Sequence, residues 1–119
     1  MFVRRLRIPV IVALLLCADL LVQAHAILLS STPASKSVVD GPDLTVSLKY
    51  NSRIDAKRSR LILVSPSGEE QTLVMSTQSP SEVLEAPAKG LKSGAYILRW
   101  QVLAVDGHIT RGEVPFNVR

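Results

Sequence analysis

Apolar and polar residues alternate with a period of two along several segments of this chain, which is typical of strands with one buried face. The clearest segments are residues 44–50 and 95–105, where Leu, Val, Tyr and Trp recur at every second position. No segment of useful length has the spacing of an amphipathic helix. The pattern predicts about seven strands, at residues 26–29, 44–50, 61–64, 71–75, 81–85, 95–105 and 113–118.

Turn residues separate these segments and indicate an all-β fold. The cluster Ser65–Gly68 predicts a hairpin between two of the strands. Short strands at this spacing predict a small Greek-key β-sandwich, with an eight-stranded barrel as the alternative. Trp100 is expected to be the central core ring. Tyr96 follows a turn and is either the hydroxyl donor of a tyrosine corner or an ordinary core aromatic.

The first 24 residues have the three parts of a secretory signal. Three arginines precede an apolar run, and Val22-Gln23-Ala24 resembles a signal-peptidase site. An uncleaved membrane anchor is disfavoured because Asp19 interrupts the apolar run. Lipoprotein processing at Cys17 is also disfavoured, since the leucines before it replace the usual small residue. We therefore predict a signal peptide at 1–24, a single domain at 25–119 and a periplasmic location.

Composition narrows the function classes open to the exported domain. Removing the leader takes away three arginines and one aspartate, so the net charge falls from +4 to +2. This mild charge, carried by scattered residues, gives no reason to expect a nucleic-acid partner. Cys17 is the one cysteine and lies in the leader, which excludes disulfides and thiolate chemistry from the domain. Met75 is then the single methionine.

The two histidines lie where a metal site could be built. Cleavage after Ala24 would make His25 the first residue, so that its α-amine and imidazole nitrogen could chelate one ion. Asp106 and His108 are close in sequence and would add a carboxylate oxygen and a third nitrogen. Such a nitrogen-rich set with one oxygen suits square-planar or tetragonal Cu(II). The alternatives are a frayed terminus beside an ordinary Asp-Gly turn, or a hydrolytic His–Asp pair for which no serine is placed.

A wider set of residues forms a recognisable pattern, consisting of His25–Leu28 with Ser30–Ala34, Leu48–Ile54, Arg60-Leu61, Leu91, Gly94, Tyr96, Trp100-Gln101-Val102, Val105–His108 and Gly112–Phe116. In this pattern the chain resembles the CopC-type periplasmic copper-binding proteins. The resemblance implies an immunoglobulin-like or cupredoxin-like sandwich. It also implies that one Cu(II) ion per chain is bound by His25, Asp106 and His108, with His25 contributing its amine as well.

Two departures from the family pattern limit what the resemblance implies. Some members carry a methionine-rich Cu(I) site, which the single Met75 does not provide. Some place a histidine and a glutamate near the end of the second strand, where this chain has Lys49 and Ser52. A copper site that depends on those groups is therefore not expected.

The leading hypothesis is a monomeric, non-catalytic Cu(II)-binding protein that sequesters copper or delivers it to an inner-membrane transporter. A second hypothesis is an oxidative copper enzyme, since some polysaccharide monooxygenases also bind copper through an N-terminal histidine. The small domain and its few aromatic residues argue against that use. A third is a metal-free interaction module, which becomes the favourite if the chain does not begin at His25. Fold alone does not separate the three.

Overall fold

A computed structural model describes residues 26–77 and 79–119, and within them it has eight β-strands and one short 3-10 turn at Ala56–Arg58. The predicted signal peptide 1–24 and His25 lie outside the described residues. In the described part of the chain, no helix has the length and apolar character needed to cross a membrane. The strands are β1 Leu28–Thr32, β2 Val38–Val39, β3 Leu44–Tyr50, β4 Arg60–Val64, β5 Glu70–Thr72, β6 Val83–Ala88, β7 Gly94–Leu103 and β8 Ile109–Val118.

The strands form two sheets that pack face to face. One sheet has three strands in the order β1-β3-β6, and the other has five in the order β2-β8-β7-β4-β5. Every pairing is antiparallel except the short parallel contact of β2 with β8. This arrangement confirms the predicted immunoglobulin-like β-sandwich, and the separate sheets exclude the closed barrel.

Alternate residues of both sheets fill the core, as the period-two pattern predicts. Tyr50 and Trp100 are buried and meet edge to face, with ring centroids 5.4 Å apart. Tyr96 stacks on Phe116 at 5.7 Å and donates its hydroxyl to the Lys92 carbonyl at 2.8 Å. The tyrosine corner is therefore present, and it ties the loop before β7 to the core.

Several strand bounds differ from the predicted ones. β8 begins at Ile109 rather than at residue 113, and it pairs with β7 through ten residue pairs. Its first half is hard to recognise because Gly112 occupies the core side, where a large apolar residue would normally mark the pattern. β2 is also missed, because two residues are too few to show alternation. β6 lies two residues later than predicted at its start, and β1 begins at Leu28.

Gly112 is required by its contact with Trp100. The two residues are directly paired between β7 and β8, and the indole lies against the glycine backbone. A Cβ at residue 112 would come 2.5 Å from Cε2 and 2.9 Å from Nε1 of Trp100. Such contacts cannot be accommodated unless the ring or the strand shifts.

Replacing Gly112 with alanine is expected to lower the free energy of unfolding by about 1–3 kcal/mol, because the new methyl group overlaps the indole. Denaturant unfolding followed by fluorescence measures this directly, since the chain contains one tryptophan. Ala95→Val is the matched control, because it enlarges an exposed residue of the same hairpin and should change stability by less than about 0.5 kcal/mol. Equal destabilisation by both variants would contradict the importance of the contact.

Candidate metal centre

The loop between β7 and β8 carries two of the predicted metal ligands, Asp106 and His108. Within it the Ala104 N–H donates to the His108 carbonyl, and the Gly107 N–H donates to the Ala104 carbonyl, each at 2.9 Å. Gly107 has φ 90°, a conformation that glycine adopts without strain. The loop therefore reverses the chain over residues 104–108 and starts β8 directly after His108.

This reversal brings Asp106 and His108 together. The His108 N–H donates to Asp106 Oδ1 at 3.0 Å, and the ring Nδ1 lies 3.0 Å from Oδ2. The side chain of His108 is 60% exposed and that of Asp106 is 25% exposed, so the pair lies at the surface with its aspartate partly covered. The two side chains therefore converge through a turn at Gly107 and not along a continued strand.

The geometry of the pair fits a metal ion in either of two ways. Two neighbouring ligands of a square-planar site with bonds of about 2.0 Å are about 2.8 Å apart, close to the observed 3.0 Å between Oδ2 and Nδ1. Alternatively, Nδ1–H donates to the carboxylate and orients the ring so that Nε2 binds the ion. In either mode the ion needs further ligands. Within residues 26–77 and 79–119, no three His, Cys, Asp or Glu side chains lie close enough together to hold a metal ion.

The first described residues of the chain are held beside this loop. Ala26 is buried, and its carbonyl accepts a hydrogen bond from Thr110 Oγ1 at 3.3 Å. The Ile27 N–H donates to Asn51 Oδ1 at 2.7 Å, and the Asn51 N–H donates to the Ile27 carbonyl at 3.0 Å. The start of β1 is therefore fixed both to the end of β3 and to the start of β8.

The structure thus brings together two of the three residues predicted for the site. Asp106 and His108 form one pair, whereas His25 lies outside the described residues. β1 and β8 belong to different sheets, and the segment just before β1 meets the start of β8 at the end of the sandwich, through Ala26 and Thr110. The anchoring roles of Thr110 and Asn51 were not predicted, because their partners lie 84 and 24 residues away in sequence.

Several polar side chains near the end of β3 and in the core were considered as further metal ligands. Tyr50 Oη, Ser52 Oγ and Trp100 Nε1 are buried without a hydrogen-bond partner among the described residues. Burial raises the pKa of the Tyr50 phenol above its ordinary value, so the phenol is neutral near pH 7. Lys49 is exposed on β3. Neither Lys49 nor Ser52 provides a histidine or carboxylate ligand near the end of that strand.

A family model and several known proteins match the sequence of this chain. A family model described as the CopC domain matches residues 28–119. The chain is 30% identical over 101 residues to protein YobA of Escherichia coli strain K12, with 82% of each chain covered. It is 29% identical over 107 residues to copper resistance protein C of Pseudomonas syringae pv. tomato, covering 83% of this chain and 84% of that protein.

Solved structures agree with the sequence relatives. The crystal structure of CopC from Methylosinus trichosporium OB3b has a TM-score of 0.71 at 26% identity, covering 79% of this chain and 93% of that one. PcoC, a methionine-rich copper resistance protein from Escherichia coli, has a TM-score of 0.64 at 24% identity, covering 81% and 100% of the two chains. The second likeness concerns the fold, and the methionine richness of PcoC has no counterpart in a chain with two methionines.

Asn51→Ala is expected to loosen the start of β1, because the Ile27 N–H loses its acceptor. Amide exchange at Ile27 should become about tenfold faster, the effect of losing one hydrogen bond of ordinary strength. Asn117→Ala is the matched control, since Asn117 is an exposed residue of β8. If Ile27 exchanged at the same rate in both variants, Asn51 would not be what holds this segment.

Proposed function

The chain belongs to the CopC domain family, and from this premise we propose that it binds one Cu(II) ion in the periplasm through His25, Asp106 and His108. A copper-related function follows from the family and from relatives named copper resistance protein C. The single observation that carries the finer proposal is the Asp106–His108 pair, which lies beside the anchored start of the described chain.

Chain connectivity supports the participation of His25. His25 is bonded to Ala26, and consecutive Cα atoms are about 3.8 Å apart. Ala26 is held by Thr110, which is two residues after His108 and is the second residue of β8. An N-terminal amine and imidazole attached at that point need no long excursion to reach an ion bound by His108. Cleavage after Ala24 is required, because a peptide bond before His25 would remove its amine as a ligand.

The donor set favours Cu(II) over softer or harder ions. Three nitrogens and one carboxylate oxygen suit a tetragonal Cu(II) centre, and affinity among divalent first-row ions is greatest for copper. A separate Cu(I) site would need soft thioether or thiolate ligands. Met75 is partly buried against the core, and the cysteine of this chain belongs to the proposed leader. We therefore expect one copper site and no second one.

The position of the pair supports a carrier rather than a catalyst. His108 lies on a loop at the end of the sandwich with most of its side chain exposed, so a bound ion would be accessible to another protein. The proposed role is to sequester copper or pass it to an inner-membrane transporter, with the protein acting as a monomer. No observation on the described residues specifically favours the oxidative enzyme or the metal-free module.

His108→Ala is expected to weaken Cu(II) binding by about 100-fold or more, since even groups that only orient a ligand contribute 10- to 100-fold. Asp106→Asn should weaken it by at least about tenfold whether Asp106 binds the ion or orients His108. Titration with Cu(II), followed by quenching of the single tryptophan, measures both effects. Asp40→Asn is the control, because Asp40 pairs with Arg119 and takes no part in the loop. Unchanged affinity in the His108 variant would reject the site.

The exported protein is expected to begin at His25, which N-terminal sequencing would test directly. A variant with one glycine inserted before His25 keeps the fold and every side chain but moves the free amine away from the histidine. We expect this insertion to weaken Cu(II) binding and to alter the electron paramagnetic resonance spectrum, because one nitrogen leaves the chelate. An identical spectrum and affinity would show that the amine is not a ligand. The role of the Asp106–His108 pair is tested separately by the His108 and Asp106 variants.

A further inference from the structure

A second candidate site lies on the outer face of the five-stranded sheet. There the side chains of β4, β7 and β8 surround a groove of about 320 Å³. Its volume is at the lower end of the range for sites that bind small organic molecules. The groove is lined chiefly by Arg60, Ile62, Arg99, Gln101, Arg111 and Glu113.

The pairing of the strands places two arginines on either side of one glutamine. Arg60 of β4 is paired with Gln101 of β7, which is paired in turn with Arg111 of β8. Adjacent strands are about 4.8 Å apart, so the two arginine Cα atoms are separated by about 10 Å. Arginine side chains are long enough to converge over this distance on a group lying above Gln101.

The charges in the groove are incompletely balanced. Arg99 is already paired, with Glu70 at 2.7 Å and with Glu113 at 3.6 Å. Arg111 donates from Nε to Gln101 Oε1 at 2.8 Å, which holds the side chain across the groove without neutralising it. Among the described residues, no carboxylate forms an ion pair with Arg60 or Arg111. The lining itself holds three arginines and one glutamate. Glu70, which lies outside the lining, neutralises one further charge through Arg99, so these five groups together leave one net positive charge.

We propose that this groove binds a monocarboxylate that carries an apolar group. A guanidinium presents paired N–H donors that match the two oxygens of a carboxylate, and two such groups flank the groove. One net positive charge balances a single carboxylate, whereas a phosphate dianion would face Glu113 with its second charge uncompensated. Ile62 supplies an apolar wall for the rest of the ligand. The carboxylate belongs either to a free organic acid or to a glutamate of a polypeptide.

This site is separate from the proposed copper site and does not rest on it. Arg111 is three residues beyond His108, and its side chain points to the opposite face of β8 from Thr110 and Gly112. Substitutions in the groove should therefore leave Cu(II) affinity unchanged, and substitutions at Asp106 or His108 should leave carboxylate binding unchanged.

Amide chemical shifts of the purified protein test the proposal with three probes: butyrate, the blocked dipeptide acetyl-Leu-Glu-amide and inorganic phosphate. We expect saturable shifts at Ile62, Gln101 and Gly112 with a carboxylate probe, at concentrations at least about tenfold lower than phosphate requires. Tighter binding of butyrate would identify a free acid as the source, and tighter binding of the dipeptide would identify a polypeptide. Absence of saturation with both carboxylates, or equal binding of phosphate, would overturn the proposal.

The double variant Arg60→Gln/Arg111→Gln should weaken carboxylate binding by about tenfold or more. Lys92→Gln/Arg119→Gln removes the same charge from exposed residues outside the groove lining and is the matched control. If both double variants weakened carboxylate binding equally, the effect would come from the overall charge of the protein, and the proposed site would be overturned. Should the first variant fold poorly, Arg60→Lys/Arg111→Lys keeps the charge but loses the paired donors, so that undiminished binding by this variant would equally contradict the proposal.

Discussion

The close contact between Trp100 and Gly112 is the constraint on which both candidate sites depend. The indole occupies the space where any other residue 112 would have a Cβ, so the glycine must lie directly opposite the tryptophan. A slip of one residue would bring the Arg111 or Glu113 side chain into that space and reverse the faces of β8. The contact therefore fixes the β7–β8 register, and this register determines where residues 104–108 turn.

The same strand serves two chemically different surfaces because its residues alternate between faces. Thr110 and Gly112 point inwards, where Thr110 reaches the Ala26 carbonyl and closes the end of the sandwich. Arg111 and Glu113 point outwards and line the groove. An error in register would thus separate His108 from the start of β1 and, at the same time, place the arginine between the sheets. Correct pairing of one hairpin accounts for both arrangements.

Much of this architecture is accessible from sequence because it is local. The buried faces of β3 and β7 follow from period-two alternation, and the closeness of Asp106 and His108 follows from their spacing around a glycine. The start of β8 was missed because glycine and arginine conceal the alternation there. The anchoring of Ala26 by Thr110 was missed because a contact across 84 residues leaves no periodic signal. What escapes sequence reasoning is therefore the joining of distant segments, which the proposed copper site would also require.

Closeness along β8 does not imply that the two sites influence each other strongly. Arg111 is three residues after His108, which corresponds to about 10 Å along extended chain. Two unit charges at about 10 Å in water interact with only about 0.4 kcal/mol, before screening by salt over a Debye length of about 8 Å. A cation held by the exposed loop would therefore change the carboxylate affinity of the groove by less than about twofold. One hairpin can thus carry a metal site at its end and an anion site on its outer face, and each can be altered without loss of the other.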